Sequence, residues 1–268
     1  MRVKESIKEL REICQLPVYQ TDSLYGRIFA RKVSIYFTKL LLNTPISGNQ
    51  TTFLFILIGI VAGAFFTSGN YWHSVIGALV LQLWYIFDCV DGEVARYRKS
   101  TSITGRFLDY FSHFIIHPYI FICMSFGVYN LFYDVKVFIF GFSAALSTVL
   151  YEVIEPCEYK AILWEYYKRG GSVSSKSPSF EQLTTETGRR FKIFFNIFIY
   201  PQTMNVITVA AIIDRFIPDV VIGSVKFNCM HIVLLFYGLT TPFIWIGRTF
   251  YIVLKKRVDQ KYNILLGR

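Results

Sequence analysis

Phe87–His113 reads FDCVDGEVARYRKSTSITGRFLDYFSH. Three aspartates, Asp88, Asp91 and Asp109, sit where two apolar segments meet a basic turn. An ionised carboxylate at the edge of a bilayer is costly, so such residues mark working sites. On a helix, Asp91, Gly92 and Ala95 fall at i+3, i+4 and i+7 from Asp88, on one face. Two carboxylates then share that face with two residues that have almost no side chain, and Arg96 borders the slot. Beyond the turn, Gly105, Asp109, Ser112 and His113 form a second stripe by the same spacing. Antiparallel packing of the two helices brings Asp109 opposite Asp88 and Asp91. Converging carboxylate oxygens suit a hard cation, Mg²⁺ or Mn²⁺. A cation, open space and an arginine together describe a pyrophosphate site.

The surrounding chain reads as membrane protein. Of its 268 residues 53% are hydrophobic and only 17% charged, and the charges are clustered. With a mean hydropathy of +0.42, this composition excludes an ordinary soluble domain. Five cysteines (Cys14, Cys89, Cys123, Cys157, Cys229) show no paired spacing, so neither a disulfide framework nor a zinc site is expected. The net charge of +10 is distributed as for a membrane surface, and no nucleic acid is expected.

No Asp, Glu, Lys or Arg occurs from Leu40 to Phe87. That run predicts two spans, Thr51–Thr67 and Tyr71–Phe87, broken at Ser68-Gly69-Asn70. Further spans are predicted over Tyr110–Tyr133, Val137–Tyr151, Ile193–Ile213 and Phe227–Gly247. The predicted fold is an all-α polytopic membrane protein of six transmembrane helices behind an interfacial amphipathic helix. The divisions are residues 1–48 (amphipathic helices), 49–255 (the membrane domain with the site) and 256–268 (a basic tail). Val3, Ile7, Leu10 and Cys14 make the apolar stripe of the first helix, and Arg31–Leu42 repeats the design with Val33, Tyr36, Phe37, Leu40 and Leu41. Of 28 Lys and Arg, 25 fall on the side of the termini; only Lys136, Arg215 and Lys226 fall opposite. By the positive-inside rule both termini and the aspartates face the cytoplasm. Gly59 and Gly63 form GxxxG, a packing contact within or between subunits. The polar stretch Gly170–Gly188 reads as a cytoplasmic flap. Arg189, Arg190 and Lys192, and the glutamates Glu152, Glu155 and Glu158, read as interface anchors and a solvated face respectively.

The central stretch resembles the CDP-alcohol phosphatidyltransferase family, whose motif is D-x2-D-G-x2-A-R-x8-G-x3-D-x3-D. Asp88, Asp91, Gly92, Ala95, Arg96, Gly105 and Asp109 match it in spacing; His113 stands in place of the last aspartate. Thr44–Thr51 resembles the family's T-P-x-x-P-N-x-x-T turn, with Gly48 where proline is usual. The resemblance implies transfer of a phosphoalcohol, commonly phosphatidyl from CDP-diacylglycerol, to a small polar hydroxyl acceptor with release of CMP. It implies one or two Mg²⁺ or Mn²⁺ ions on Asp88, Asp91 and Asp109, with His113 as a further candidate ligand, and the CDP moiety against Gly92, Ala95, Arg96 and Gly105. In the family the residue at position 113 is also thought to deprotonate the acceptor, which an imidazole can do near neutral pH. His117, one turn on, is placed to hydrogen-bond that imidazole or the substrate. A homodimer is a family-level expectation. The alternatives are a transporter or scaffold on the same fold, or a transferase that moves a CDP-linked headgroup onto a lipid.

Overall fold

The computed structural model describes residues 3–169, 196–222 and 225–266. The predicted flap Gly170–Gly188 and the cluster Arg189, Arg190 and Lys192 lie outside the described residues. The helices are α1 (Ile7–Cys14), α2 (Arg31–Leu42), α3 (Gly48–Phe66), α4 (Tyr71–Tyr97), α5 (Ile103–Phe132), α6 (Val137–Lys168), α7 (Gln202–Ile213), α8 (Cys229–Leu254) and α9 (Arg257–Leu265). A two-stranded ribbon, Val220–Ile222 against Val225–Phe227, joins α7 to α8.

Polar side chains set the helix starts. Ser47 and Gln50 form a reciprocal capping box at α3. The Asn70 side chain accepts from the amides of Trp72 (2.9 Å) and His73 (3.4 Å) at α4. Gly69, at φ +71°, makes the turn between α3 and α4 that a residue with a Cβ would adopt only under strain. The Ser102 hydroxyl accepts from the Gly105 amide (2.9 Å) at α5.

Five helices, α3, α4, α5, α6 and α8, are long and apolar enough to cross a membrane. The expected span Ile193–Ile213 differs: among its described residues, regular α-helix runs only from Gln202. Its 12 residues rise about 18 Å, short of a hydrocarbon core of about 30 Å. Pro201 is the reason on the N-terminal side, because it has no amide hydrogen to extend a helix backwards. In the other direction α4 and α6 outrun their predicted spans, carrying charged residues on continuous helix to Tyr97 and Lys168.

The long helices and α7 close a ring in the order α4, α3, α5, α6, α8, α7, each packed on the next. The GxxxG pair works inside the subunit. A Cβ at Gly59 would come within 2.9 Å of Ile116 and Trp84, and one at Gly63 within 2.2 Å of the Tyr119 ring. These two glycines therefore let α5 and Trp84 of α4 approach the backbone of α3.

The amino-terminal arm folds back on α4. Leu10 and Cys14 of the predicted stripe are fully buried there rather than turned to lipid. On α2 the outer face is apolar, with Tyr36 and Leu40 exposed, while Ser34 and Thr38 turn inward. They donate to Glu93, a fully buried carboxylate that also accepts from Gln15 (2.9 Å) and Arg31 (3.0 Å). Arg31 is held in turn by Asp22 at 2.9 Å. The tail residues Arg257–Leu265 form α9, which is fixed to α6 by the ion pair Lys261–Glu158.

Candidate active site

Asp109 and His113 are one turn apart on α5, so their side chains point the same way, and Asp88 reaches them from α4. His113 Nε2 lies 3.2 Å from Asp88 Oδ1 and 3.4 Å from Asp109 Oδ1. One donor atom from each of the three lies within 4.8 Å of the others, close enough to hold one metal ion. Two carboxylate oxygens and an imidazole nitrogen match the donor chemistry of Mg²⁺ or Mn²⁺. α4 and α5 both lean on α3 more than on each other, so the three side chains meet across helices that pack chiefly through a third.

Asp91 stands beside this group without joining its tight set. Its carboxylate is buried and accepts from the Thr52 hydroxyl of α3 at 2.9 Å.

A chain of contacts leads from His113 away from the carboxylates. His113 Nδ1 is 3.2 Å from His117 Nε2, and His117 Nδ1 is 2.5 Å from Glu152 Oε1 on α6. The His117 ring is stacked on Tyr200, with centroids 3.5 Å apart and planes 5° apart. Trp84 meets both imidazoles edge-on at 5.4 Å. Among the described residues, Trp84 Nε1, Tyr200 Oη and the second oxygen of Glu152 are buried without a hydrogen-bond partner. Two prolines adjoin the chain. Pro118 follows His117 on α5, and Pro156, one turn past Glu152, cannot supply the amide that would bond the Glu152 carbonyl.

The small residues of the motif are closely surrounded. Ala95 lies against Gly48 at the first turn of α3, where a Cβ at Gly48 would come 3.1 Å from the Ala95 methyl. A Cβ at Gly92 would meet the Arg96 guanidinium at 3.1 Å, and one at Gly105 would meet Asn49 at 3.0 Å. Arg96 is turned to α1 instead: its Nε donates to the Cys14 carbonyl at 2.6 Å, and among the described residues its Nη2 is buried without a partner. Arg98 donates to the carbonyls of Thr44 (2.6 Å) and Pro45 (3.3 Å), so it fastens the turn before α3.

The solvated-face reading of the α6 glutamates holds only for Glu155, which is exposed. Glu158 is buried against Lys261, and Glu152 is bound to His117. Glu152 is the first charge after the uncharged run Val137–Tyr151, which was the available signal. Thr52, Trp84 and Tyr200 were not found from sequence; nothing in their local pattern distinguishes them from packing residues.

Residues 46–163 match the family model described as CDP-alcohol phosphatidyltransferase. No curated protein matches the sequence. In fold the chain is similar to the crystal structure of Mycobacterium tuberculosis phosphatidylinositol phosphate synthase with CDP-DAG bound. The TM-score is 0.55 at 14% identity, over 81% of this chain and 92% of that one.

Proposed function

From a chain that carries a CDP-alcohol phosphatidyltransferase domain, a domain of a family of transferases, over residues 46–163, we propose transfer of a phosphoalcohol group from a CDP-alcohol to a hydroxyl acceptor with release of CMP. The observation that carries this reading is the meeting of Asp88, Asp109 and His113 within 4.8 Å on two helices of the matched region. The preferred donor is CDP-diacylglycerol, the ligand named for the structural neighbour. The preferred acceptor is small and polar. The unpartnered Trp84 Nε1, Tyr200 Oη and Glu152 Oε2 around His117 favour a ligand with hydroxyl groups.

Asp88, Asp109 and His113, with Asp91 beside them, would hold Mg²⁺ or Mn²⁺. When bound, such an ion supplies positive charge against the diphosphate and the departing CMP. The chain's own residues do the rest. Thr52 fixes the Asp91 carboxylate by one hydrogen bond. His113 Nε2 faces the site with a single lone pair, so in the reacting state it takes the proton of the acceptor hydroxyl while the carboxylates keep the ion. The acceptor oxygen forms a bond to the β-phosphorus, the bond from that phosphorus to the CMP oxygen breaks, and CMP leaves as the anion. Gly92, Ala95 and Gly105 would flank the CDP moiety. The resemblance also assigns Arg96 to the CDP moiety; with its Nε held by the Cys14 carbonyl, the guanidinium would reach that moiety only by turning away from α1.

The lysine and arginine bias supports a cytoplasmic site and cytoplasmic termini. A homodimer is proposed only from the family resemblance. The experiment is CMP release from CDP-diacylglycerol by the purified protein, with Mg²⁺ or Mn²⁺ and a panel of polar alcohols. Release that depends on the acceptor supports the reading. No release with any acceptor, alongside release from a CDP-linked headgroup presented with a lipid alcohol, reverses the assignment of donor and acceptor.

A further inference from the structure

We infer that Glu152, acting through His117, is a positioning residue that fixes which nitrogen of His113 faces the Asp88–Asp109 carboxylates; this rests on the function proposed above. An ionised carboxylate can only accept hydrogen bonds. Glu152 Oε1, 2.5 Å from His117 Nδ1, therefore places the His117 proton on Nδ1. In a neutral imidazole the other nitrogen then carries the lone pair. That nitrogen, His117 Nε2, is 3.2 Å from His113 Nδ1, so it accepts and the His113 proton sits on Nδ1. The remaining nitrogen, His113 Nε2, faces Asp88 Oδ1 and Asp109 Oδ1 at 3.2 and 3.4 Å, distances at which a protonated Nε2 donates to the carboxylates and a deprotonated one turns its lone pair toward them.

A lone pair facing two carboxylate oxygens is repulsive by itself. It becomes attractive when a cation or a proton lies between, which is what the proposed chemistry supplies at that point. The order of donors and acceptors thus leaves His113 ready either to bind an ion or to receive a proton. Carboxylate–imidazole pairs behind a metal-facing ligand commonly act in this way.

The surroundings leave the two rings little alternative. His117 is almost completely buried and stacked on Tyr200. Trp84, fully buried, presses edge-on against both imidazoles, which opposes a ring flip. The arrangement also gives a physical account of the motif's departure from its family. An aspartate at position 113 has no tautomer to set, whereas a histidine there needs one nitrogen specified.

The test is a double-mutant cycle on the full-length protein in detergent or nanodiscs, using Glu152→Gln and His113→Asp. Two readouts are taken: CMP release, and Mn²⁺ binding followed by electron paramagnetic resonance without substrate. Glu152→Gln is expected to lower kcat and weaken Mn²⁺ binding, each about 10–100-fold, with little change in donor KM. In the His113→Asp background the same substitution is expected to change neither. Equal losses in both backgrounds, or no loss in the wild-type background, would overturn the inference. If wild-type protein releases no CMP from any donor, the proposed function fails, and the Mn²⁺ arm still decides the positioning role. Gel filtration and thermal unfolding check that each variant folds. Should Glu152→Gln not fold, His117→Phe keeps the stack on Tyr200 while breaking the chain, and the same outcomes apply.

Discussion

Asp88 and His113 meet at 3.2 Å although they belong to different helices, α4 and α5, that pack mainly through a third. An acid and an imidazole thus come together from helices that have few direct contacts with each other. Removing the Asp88 charge is expected to reduce CMP release by more than the roughly 10–100-fold typical of outer-shell partners. Asp88→Asn should also lose Mn²⁺ binding measured without substrate. An Asp88→Asn protein that turns over normally would show the carboxylate to be structural.

His113 should tolerate only replacements that restore a base or ligand. His113→Ala is expected to leave almost no CMP release, and His113→Asp, which restores the family motif, to keep part of it. Initial rates at saturating donor and acceptor distinguish the two. Full turnover by His113→Ala would refute the base assignment.

Removal of divalent ions should stop the reaction reversibly. Chelation with EDTA is expected to abolish CMP release, and Mg²⁺ or Mn²⁺ in excess of the chelator to restore it. Undiminished activity after exhaustive chelation counts against the carboxylate site.

Glu93 should govern the amino-terminal arm and not the chemistry directly. It is fully buried and accepts from Gln15, Arg31, Ser34 and Thr38. Glu93→Ala leaves Arg31 half unpaired, and breaking a buried pair in this way costs about 3–5 kcal/mol. The expected result is faster hydrogen exchange across α1 and α2 with the long helices unchanged. Wild-type exchange in that arm would mean that the network adds no stability.

Gly63→Ala should destabilise the bundle. The added methyl would lie within 2.2 Å of the Tyr119 ring, which must move and give up its hydrogen bond to the Ile60 carbonyl. Overpacking of this kind costs about 1–3 kcal/mol. A lowered unfolding temperature in detergent, with the oligomeric state unchanged, is the expected outcome. A change in oligomeric state instead would place the GxxxG face between subunits.

Much of this was legible in one dimension. The uncharged run Leu40–Phe87 fixed two membrane helices because a hydrocarbon core admits few unpaired charges. The spacing of Asp109 and His113 fixed a shared helix face, because four residues make about one turn. The aspartate motif carried the resemblance to the family whose model matches residues 46–163, and the Ser47–Gln50 pair marked a helix start by its own local hydrogen bonds.

What remained hidden depends on which helices stand side by side. Glu152 is 35 residues from His117, and only the packing of α6 on α5 makes it a partner instead of a solvated charge. Glu93 shares its helix with Asp88 yet faces the arm, because α2 returns with Ser34 and Thr38 turned inward. Arg96 fits the motif but is drawn to the Cys14 carbonyl, because α1 folds back on α4. Sequence by itself determined what each segment must avoid, namely water for the apolar runs and bare lipid for the acids. The tertiary structure alone decided which groups satisfy one another, because a hydrogen bond requires atoms to meet within about 3 Å and no pattern along the chain specifies that distance.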